Sequence, residues 1–432
     1  MEVRILGQMI YCLIGFSCSP FWGKGNTTEC LRRMPARRRE PGESTMKQTY
    51  DAIIIGAGVM GASVAYNLSR RGLSILILER QSSGAGATGA SSGLVRMHYD
   101  LEIDSVLAWE SFHFFRNWRE QIGGECGFKR TGFLQIVSPE KNEQLRGNVE
   151  MQQRIGIRTE VVTAAEVKKI APMFRTNDFE LAAYEPESGY ADPVLTTNSF
   201  LANAKACGAV LLQDCEVTGI RVSGGKVTGV VSSQGSFEAP ILVNCAGTFA
   251  DRIGRLVGLD IPLDTWSHDV AFVRRPATFG THPTCIDDAL SMYFRPEGEL
   301  TLIGLEDYNR MSEPPESELG RVDPEFVMRA IDRICERMNG MEAGSLHSTH
   351  VGRDGLTPDQ RAILDQSGPD GFYIACGFSG TGFKLSPAVG VCMSEWILDG
   401  SPKLVDISSL KLDRFARGEL LKGEHSYGHI WK

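Results

Sequence analysis

The sequence predicts an α/β fold in which a domain with a parallel sheet is assembled from separated segments and carries an inserted domain with a mixed sheet. Three observations indicate this fold. A chain of 432 residues is longer than one hydrophobic core usually supports, so two domains are expected. Residues 50–79 have the pattern of a strand, a glycine turn, a helix and a second strand. Residues 371–398 return to this pattern after a long stretch of alternating strand signals.

The first strands and helix have the clearest sequence patterns. Residues 52–55 are a short continuous apolar run, as expected of a parallel strand buried on both faces. Residues 60–71 have apolar side chains at helical spacing, Gly72 ends this helix, and residues 73–78 form the second buried strand. Residues 83–93 are rich in small residues, which predicts a loop whose backbone can meet a ligand.

The later elements alternate along the chain. Further helices are predicted over residues 103–121, 139–155, 164–170, 196–207, 324–338 and 387–398. Further strands are predicted over residues 133–137, 210–212, 216–222, 226–232, 241–245, 270–274, 291–295, 300–304 and 371–375. Their order favours a first domain built from residues 48–130, 186–262 and 346–415, an inserted domain built from residues 131–185 and 263–345, and a tail at residues 416–432.

Residues 1–45 fit neither domain. Residues 5–16 are apolar but interrupted, and an arginine-rich stretch follows them, whereas a secretory signal peptide carries its positive charge first. Met46 begins the segment directly before the first strand. We therefore expect the native chain to start at or near Met46, with residues 1–45 either not native or a disordered extension; a targeting segment is the alternative.

Composition excludes several classes of protein. A net charge of −8 argues against nucleic acid as a partner, because phosphate binding requires a basic surface. No apolar run approaches the roughly 18 residues that span a bilayer. The eleven cysteines form no Cys-x-x-Cys pair, which favours reduced thiols in a cytoplasmic protein. His347 and His350 lie three residues apart, but without further ligands nearby no metal is expected.

A glycine motif lies between the first strand and helix. It is Gly56-Ala57-Gly58-Val59-Met60-Gly61, and Glu79 ends the next strand. The first glycine permits a tight turn, the second lets the backbone approach a pyrophosphate, and the third lets helix and strand pack closely. Amides at the helix start bind phosphates, and Glu79 accepts hydrogen bonds from a ribose. The motif predicts a Rossmann-type dinucleotide-binding domain, without distinguishing FAD from NAD.

Five further segments carry a resemblance to a known family. They are Ala87-Thr88-Gly89-Ala90-Ser91-Ser92-Gly93, Gly189-Tyr190-Ala191-Asp192-Pro193, Val243-Asn244-Cys245-Ala246-Gly247, Leu356-Thr357-Pro358-Asp359 and Gly377-Phe378-Ser379-Gly380-Thr381-Gly382-Phe383-Lys384. Through them the chain resembles the amine-oxidising flavoproteins that include D-amino acid oxidase, glycine oxidase and sarcosine oxidase, and most of all the sarcosine oxidase beta subunit. The resemblance implies a Rossmann-type FAD-binding domain in separated segments, with an inserted mixed-sheet α+β substrate domain.

The resemblance also implies which residues hold FAD. They are Gly56, Gly58, Val59, Met60, Gly61, Glu79, Arg80, Ala90, Ser91, Ser92, Gly93, Val217, Ala246, Gly247, Gly380, Thr381, Gly382, Phe383 and Lys384. Ser386-Pro387 is typical of a helix start. A helix beginning there would direct its positive end, beside Lys384, at the negative charge of a reduced flavin.

Two departures from the family pattern bear on the cofactor. In monomeric sarcosine oxidase the cysteine six residues before the Thr-Pro proline is linked to the flavin, and here that position is Gly352. The loop at residues 87–93 also lacks the histidine of dimethylglycine dehydrogenase-like relatives. FAD is therefore expected to bind without a covalent bond. The oxygen-activating lysine of the monomeric oxidases aligns with Leu302, which argues against direct use of oxygen.

The resemblance places a carboxylate-binding arginine at Arg96, and Lys384 is the natural second cation. A planar guanidinium fixes a carboxylate through two hydrogen bonds and so orients the alpha carbon. These two residues are the predicted catalytic pair. His98 and Tyr99 either line the pocket or form a packed aromatic pair, and His268 and Tyr293 are weaker candidates from the inserted domain.

The predicted function is FAD-dependent oxidation of the C–N bond of a small amino acid or N-alkyl amino acid, sarcosine-, glycine- or proline-like, by hydride transfer to flavin N5. Two alternatives stay open. One is an NAD-dependent dehydrogenase, which the C-terminal glycine loop disfavours. The other is a flavin-binding subunit of a hetero-oligomer without turnover of its own, since beta-subunit relatives work with partner subunits.

Overall fold

The computed structural model of the protein describes residues 48–428. The prediction for residues 1–45 lies outside this range. The helices are α1 (Val59–Ser69), α2 (Glu102–Arg116), α3 (Trp118–Gln121), α4 (Asn142–Ile155), α5 (Ala164–Ile170), α6 (Pro193–Ala206), α7 (Ala250–Arg255), α8 (Pro324–Arg337) and α9 (Gly382–Asp399). The strands are β1 (Ala52–Ile55), β2 (Ile75–Leu78), β3 (Leu94–Val95), β4 (Lys129–Arg130), β5 (Phe133–Ile136), β6 (Glu160–Thr163), β7 (Leu181–Glu185), β8 (Gly189–Tyr190), β9 (Val210–Leu212), β10 (Val217–Ser223), β11 (Lys226–Ser232), β12 (Gly235–Glu238), β13 (Leu242–Asn244), β14 (Asp264–Arg274), β15 (Thr284–Asp287), β16 (Met292–Glu297), β17 (Leu300–Met311), β18 (Ser345–Leu356), β19 (Ile363–Gln366) and β20 (Phe372–Cys376).

A six-stranded sheet contains the glycine-turn strand β1. Its order is β19-β20-β13-β1-β2-β9, and all neighbouring pairs are parallel except β19 with β20. Because successive side chains alternate between the faces, Ile54 joins the cluster with α1 and α9, while Ile53 and Ile55 join the cluster with the β10-β11-β12 sheet. Strands from three distant segments therefore meet in one sheet.

A second sheet of eight mixed strands has the order β18-β14-β17-β16-β15-β5-β7-β6. Its core includes Phe294 and Ile303 from the sheet and Phe326 and Ile334 from α8. Strand β18 pairs with β14 from Ser345 to Leu356, so the predicted domain boundary at residue 346 falls inside this sheet.

Two predicted helices differ from the structure by more than a turn at one end. The helix expected at residues 103–121 is interrupted at Asn117, whose side-chain amide donates to the His113 carbonyl and whose backbone leaves the helical region. The predicted helix start at Ser386-Pro387 is wrong, because α9 begins at Gly382 and contains Pro387. Pro387 cannot donate to the Phe383 carbonyl, and the Ser386 hydroxyl donates to that carbonyl at 2.8 Å in its place.

No helix in the described part of the chain is both long and apolar enough to cross a membrane.

Candidate active site

Two positions of the glycine turn after β1 accept only glycine. Gly56 has a φ of +104°, and a Cβ there would lie 2.5 Å from the Cys245 carbonyl oxygen. A Cβ on Gly61 would collide with the Gly56 carbonyl oxygen. The first and third glycines therefore let β13 and α1 approach the turn closely.

Gly58 differs from these two. Its φ of −69° is open to any residue, and a Cβ would meet only the Thr88 hydroxyl, at 3.1 Å. That hydroxyl accepts from the Val59 amide at 3.0 Å, beside Met60 in the first turn of α1. Gly58 thus borders the gap between the helix start and the loop at residues 83–93, where bare backbone suits an incoming phosphate.

Together with the glycine turn at residues 56–61, the end of β2 and the turn after β13 form the cofactor cradle. Glu79 accepts from the amides of Ala57 and Gln81, both at 2.8 Å, which fixes its carboxylate beside the glycine turn. The Arg80 guanidinium lies 3.7 Å from the centre of the Phe249 ring. Phe249 belongs to the 3-10 turn Gly247–Phe249, directly after Ala246. Val217 shares one hydrophobic cluster with Leu78 and Ala246.

A cavity of about 340 Å³, open solvent included, brings distant parts of the chain together. Its walls come from Ser92, Leu94, Arg96, Ile286, Tyr293, Gly380, Thr381 and Lys384. Five of these eight are predicted site residues, and they lie in two segments almost 300 positions apart in sequence. The other three form an apolar and aromatic side.

The loops around the cavity are fixed by neighbouring side chains. Ser91 accepts from the Gly93 amide at 3.2 Å, and the Arg295 guanidinium donates to the Ser92 carbonyl. His350 lies 3.4 Å from the Ala90 carbonyl oxygen. Unlike Thr381 and Lys384, Phe383 does not line the cavity, because its ring packs on Phe115 in the core.

Tyr99 lies beneath the two cations of the cavity and is fully buried. The Arg96 guanidinium is 4.2 Å from the centre of the Tyr99 ring, and the Lys384 ammonium nitrogen is 5.6 Å from it. An aromatic face attracts the Arg96 guanidinium, and the charged form of Lys384 as well, so a single ring lies next to both side chains. Tyr99 is thus a packed support rather than a wall of the cavity.

The charge of Lys384 depends on what occupies the cavity. Burial and the nearby Arg96 hold the pKa of Lys384 well below its usual value, while Asp104 and Asp354 act in the opposite direction. Asp354 accepts from the amides of Gly355 at 2.8 Å and Gly380 at 2.7 Å. Burial raises the pKa of Asp354 to about 6. An anion bound between Arg96 and Lys384 would restore the ammonium form.

Glu185 is a buried acid near the site that sequence reasoning missed. It accepts from the Met97 amide at 3.0 Å and from the Ser188 hydroxyl at 2.5 Å. Burial raises its pKa to about 7, with Arg96 opposing this shift. Glu185 therefore ties the segment that carries Arg96 to β7 of the larger sheet. An isolated glutamate before a turn has no sequence signal for this role.

Of the remaining candidate site residues, one lines the cavity and the others lie outside its lining. Tyr293 lines the cavity, and Leu302 packs with it in a small hydrophobic cluster. His98 is fully buried and contacts Tyr427. Among residues 48–428 no group of three metal-ligating side chains occurs, and His347 is exposed.

The His268 imidazole lies beside Gly352, the position of the flavin-linked cysteine in monomeric sarcosine oxidase. A Cβ on Gly352 would lie 2.5 Å from the His268 imidazole Nε2 and 3.1 Å from the Ala90 Cβ. Gly352 has no side chain that could bond to the flavin, so we expect acid precipitation to release all FAD into the supernatant, measured by absorbance. Yellow colour retained by the washed precipitate would show that another residue forms a covalent bond.

Fold and site together define an oxidoreductase with a dinucleotide cofactor. Residues 51–396 match the family described as DAO, FAD dependent oxidoreductase, and the chain belongs to this family. The predicted cofactor and enzyme class are confirmed: the protein is an FAD-dependent oxidoreductase, and the NAD alternative is wrong. The cradle around Gly58 and Glu79 fits the pyrophosphate and ribose of FAD.

Several curated relatives share this region. Human mitochondrial sarcosine dehydrogenase is 28% identical over 408 residues, which cover 91% of this chain and 43% of that protein. Human mitochondrial dimethylglycine dehydrogenase is 25% identical over 89% of this chain and 47% of that protein. The chain thus spans less than half the length of these relatives. The names of both include "mitochondrial", and the predicted cytoplasmic location is not confirmed.

Solved structures share the fold. L-proline dehydrogenase from P. horikoshii superposes with a TM-score of 0.81 at 26% identity, covering 87% of this chain and 100% of that one. Glycine oxidase from Geobacillus kaustophilus has a TM-score of 0.76 at 22% identity, covering 85% and 99%. The predicted fold class is confirmed.

Proposed function

We propose that the protein oxidises the C–N bond of a small amino acid or N-alkyl amino acid. The observation that carries the proposal is the placement of Arg96 and Lys384, both buried, in one cavity wall beside the C-terminal glycine loop. The buried Arg96 guanidinium and the Lys384 side chain above one aromatic ring provide a site for a carboxylate, which would restore the charged form of Lys384. A guanidinium can bind that carboxylate through two parallel hydrogen bonds.

The apolar part of the lining limits the rest of the substrate. Leu94, Ile286 and Tyr293 line the cavity and share one hydrophobic cluster, so a second charged group on the substrate would lose hydration there without gaining a partner. A carboxylate held at one end and a short carbon chain at the other describe a small amino acid. A methyl group or a ring on nitrogen fits the apolar side as well.

FAD supplies the hydride acceptor for such a reaction. The protein's part is to hold the substrate, and binding of its carboxylate favours the charged form of Lys384. The start of α9 lies at Gly382, so the positive end of this helix and Lys384 act at the same place. Negative charge arriving there during the reaction would be stabilised by both.

The named substrates of the relatives support this class. Sarcosine and dimethylglycine are N-methyl amino acids, and proline is a cyclic one. The replacement of the oxygen-activating lysine by Leu302 leads us to propose an electron acceptor other than oxygen. Partner subunits stay a prediction.

The function is tested by mixing the purified yellow protein with candidate substrates without oxygen and recording the flavin absorbance. Sarcosine and proline are each compared with the amine that lacks the carboxylate, dimethylamine and pyrrolidine. We expect bleaching by at least one amino acid and by neither simple amine. Equal bleaching by the simple amines would contradict the carboxylate site, and no bleaching by any amino acid would favour a flavin-binding subunit without turnover.

A further inference from the structure

The C-terminal segment at residues 421–427 packs against the segment that carries Arg96, and it lies beyond the region matched by the family at residues 51–396. The Tyr427 hydroxyl is 2.8 Å from the His98 imidazole Nε2. The two rings stack with their centres 5.9 Å apart and an angle of 16° between their planes. Tyr427 is only 6% exposed, so the contact is buried.

The imidazole in this contact is held neutral. Burial and the nearby Arg96 lower the pKa of His98 to about 3. A neutral imidazole has one donor and one acceptor, and it therefore forms a directional hydrogen bond with a hydroxyl. Burial raises the pKa of Tyr427, which keeps its hydroxyl proton in place. The bond fixes the ring two residues from Arg96.

The backbone of the same segment is fitted closely to its surroundings. The Asn148 side-chain amide of α4 donates to the His425 carbonyl at 2.9 Å. One turn later, the Gln152 amide donates to the Tyr99 carbonyl at 3.0 Å. Helix α4 therefore holds both the C-terminal segment and the residue beneath the two cations. Gly423 lies so close to Asp100 that a Cβ would collide with its backbone.

We propose that Tyr427, which does not line the cavity itself, is a positioning residue that holds Arg96 in its carboxylate-binding orientation through His98. This inference rests on the proposed function, because it assumes that Arg96 binds a carboxylate. Loss of the Tyr427 hydroxyl would loosen His98 and widen the range of orientations of Arg96. The cofactor cradle at Gly58 and Glu79 is formed by other segments and would be unaffected.

The test measures binding of acetate, a carboxylate with no amine to oxidise, to the FAD-loaded full chain by perturbation of the flavin spectrum. Tyr427→Phe keeps the ring and removes one hydrogen bond, so we expect the acetate Kd to rise about two- to tenfold with unchanged FAD content. Tyr427→Leu also removes the stacked ring and should weaken acetate binding further. Tyr373→Phe, a buried tyrosine of β20, is the matched control and should leave the acetate Kd unchanged.

A double-mutant cycle shows whether Tyr427 acts through Arg96. In an Arg96→Lys background, Tyr427→Phe should have little further effect on the acetate Kd. The same weakening in both backgrounds, or none with Arg96 intact, would overturn the positioning role and leave the carboxylate site standing. If Arg96→Lys alone leaves acetate binding unchanged, the carboxylate site and this inference are overturned together.

Discussion

Gly58→Val is expected to abolish FAD binding while the chain still folds. The backbone at Gly58 allows a side chain, since its φ is −69°, and the only atom that a Cβ would meet is the Thr88 hydroxyl at 3.1 Å. The branched side chain of valine would displace that hydroxyl from the Val59 amide and fill the gap where the pyrophosphate has to approach. The measurement is titration of the apoprotein with FAD, followed by flavin fluorescence.

The control is a glycine with similar freedom in a different place. Gly320 is exposed, does not have a positive φ and has no atom within 4 Å of an added Cβ, so Gly320→Val should bind FAD as the wild type does. Thermal melting of the apoproteins separates lost binding from lost folding, and both variants should melt near the wild-type temperature. Unchanged FAD affinity in folded Gly58→Val would contradict the assignment.

The glycine turn could be predicted because its signal is local. Gly56, Gly61 and Glu79 all lie within one strand-turn-helix-strand unit, and their geometry follows from that unit alone. The start of α9 was mispredicted for the same reason, since Ser386-Pro387 is a good local signal for a helix start. In the folded chain the Ser386 hydroxyl satisfies the carbonyl that Pro387 leaves unpaired, which a local rule does not anticipate.

Residues that reach the site through long-range packing had no such signal. Ile286 lines the cavity from β15, a strand that was not predicted, and Glu185 acts through a hydrogen bond to a backbone amide 88 residues away. Strand β18 was missed because its first five residues are exposed and mostly polar, although β14 pairs with it throughout. Arg96 and Lys384 were found through family resemblance, and the structure brings them to one cavity.

Further buried charges act on the two basic residues of the cavity. Arg361 pairs with Asp100 at 2.6 Å and with Asp104 at 3.2 Å, and all three side chains are buried. Asp104 in turn acts electrostatically on both Arg96 and Lys384. Buried acids and bases thus alternate, and a substrate carboxylate would extend this alternation by one charge. Replacing one of these buried charged residues should therefore destabilise the protein more than replacing one residue of an exposed ion pair would.

Arg96→Lys is expected to lower kcat/KM for an amino-acid substrate roughly ten- to hundredfold, with FAD content unchanged. Lysine keeps the positive charge but loses the planar fork, so both the affinity for the carboxylate and the orientation of the substrate suffer. A hydrogen bond to a charged group is worth about 1.5–3 kcal/mol, which corresponds to that range of rates. Arg321→Lys, an exposed arginine far along the chain in sequence, is the matched control.

Lys384→Met distinguishes carboxylate binding from stabilisation of the reduced cofactor. Methionine has a similar length and no charge, and Lys384 lies in the first turn of α9 beside the glycine loop. We expect this variant to slow flavin reduction at saturating substrate, whereas Arg96→Lys should mainly raise the substrate concentration required. The decisive measurement is the anaerobic reduction rate against substrate concentration for each variant. Wild-type kinetics in Arg96→Lys would show that the carboxylate is not bound by Arg96 and would favour a substrate amine that has none.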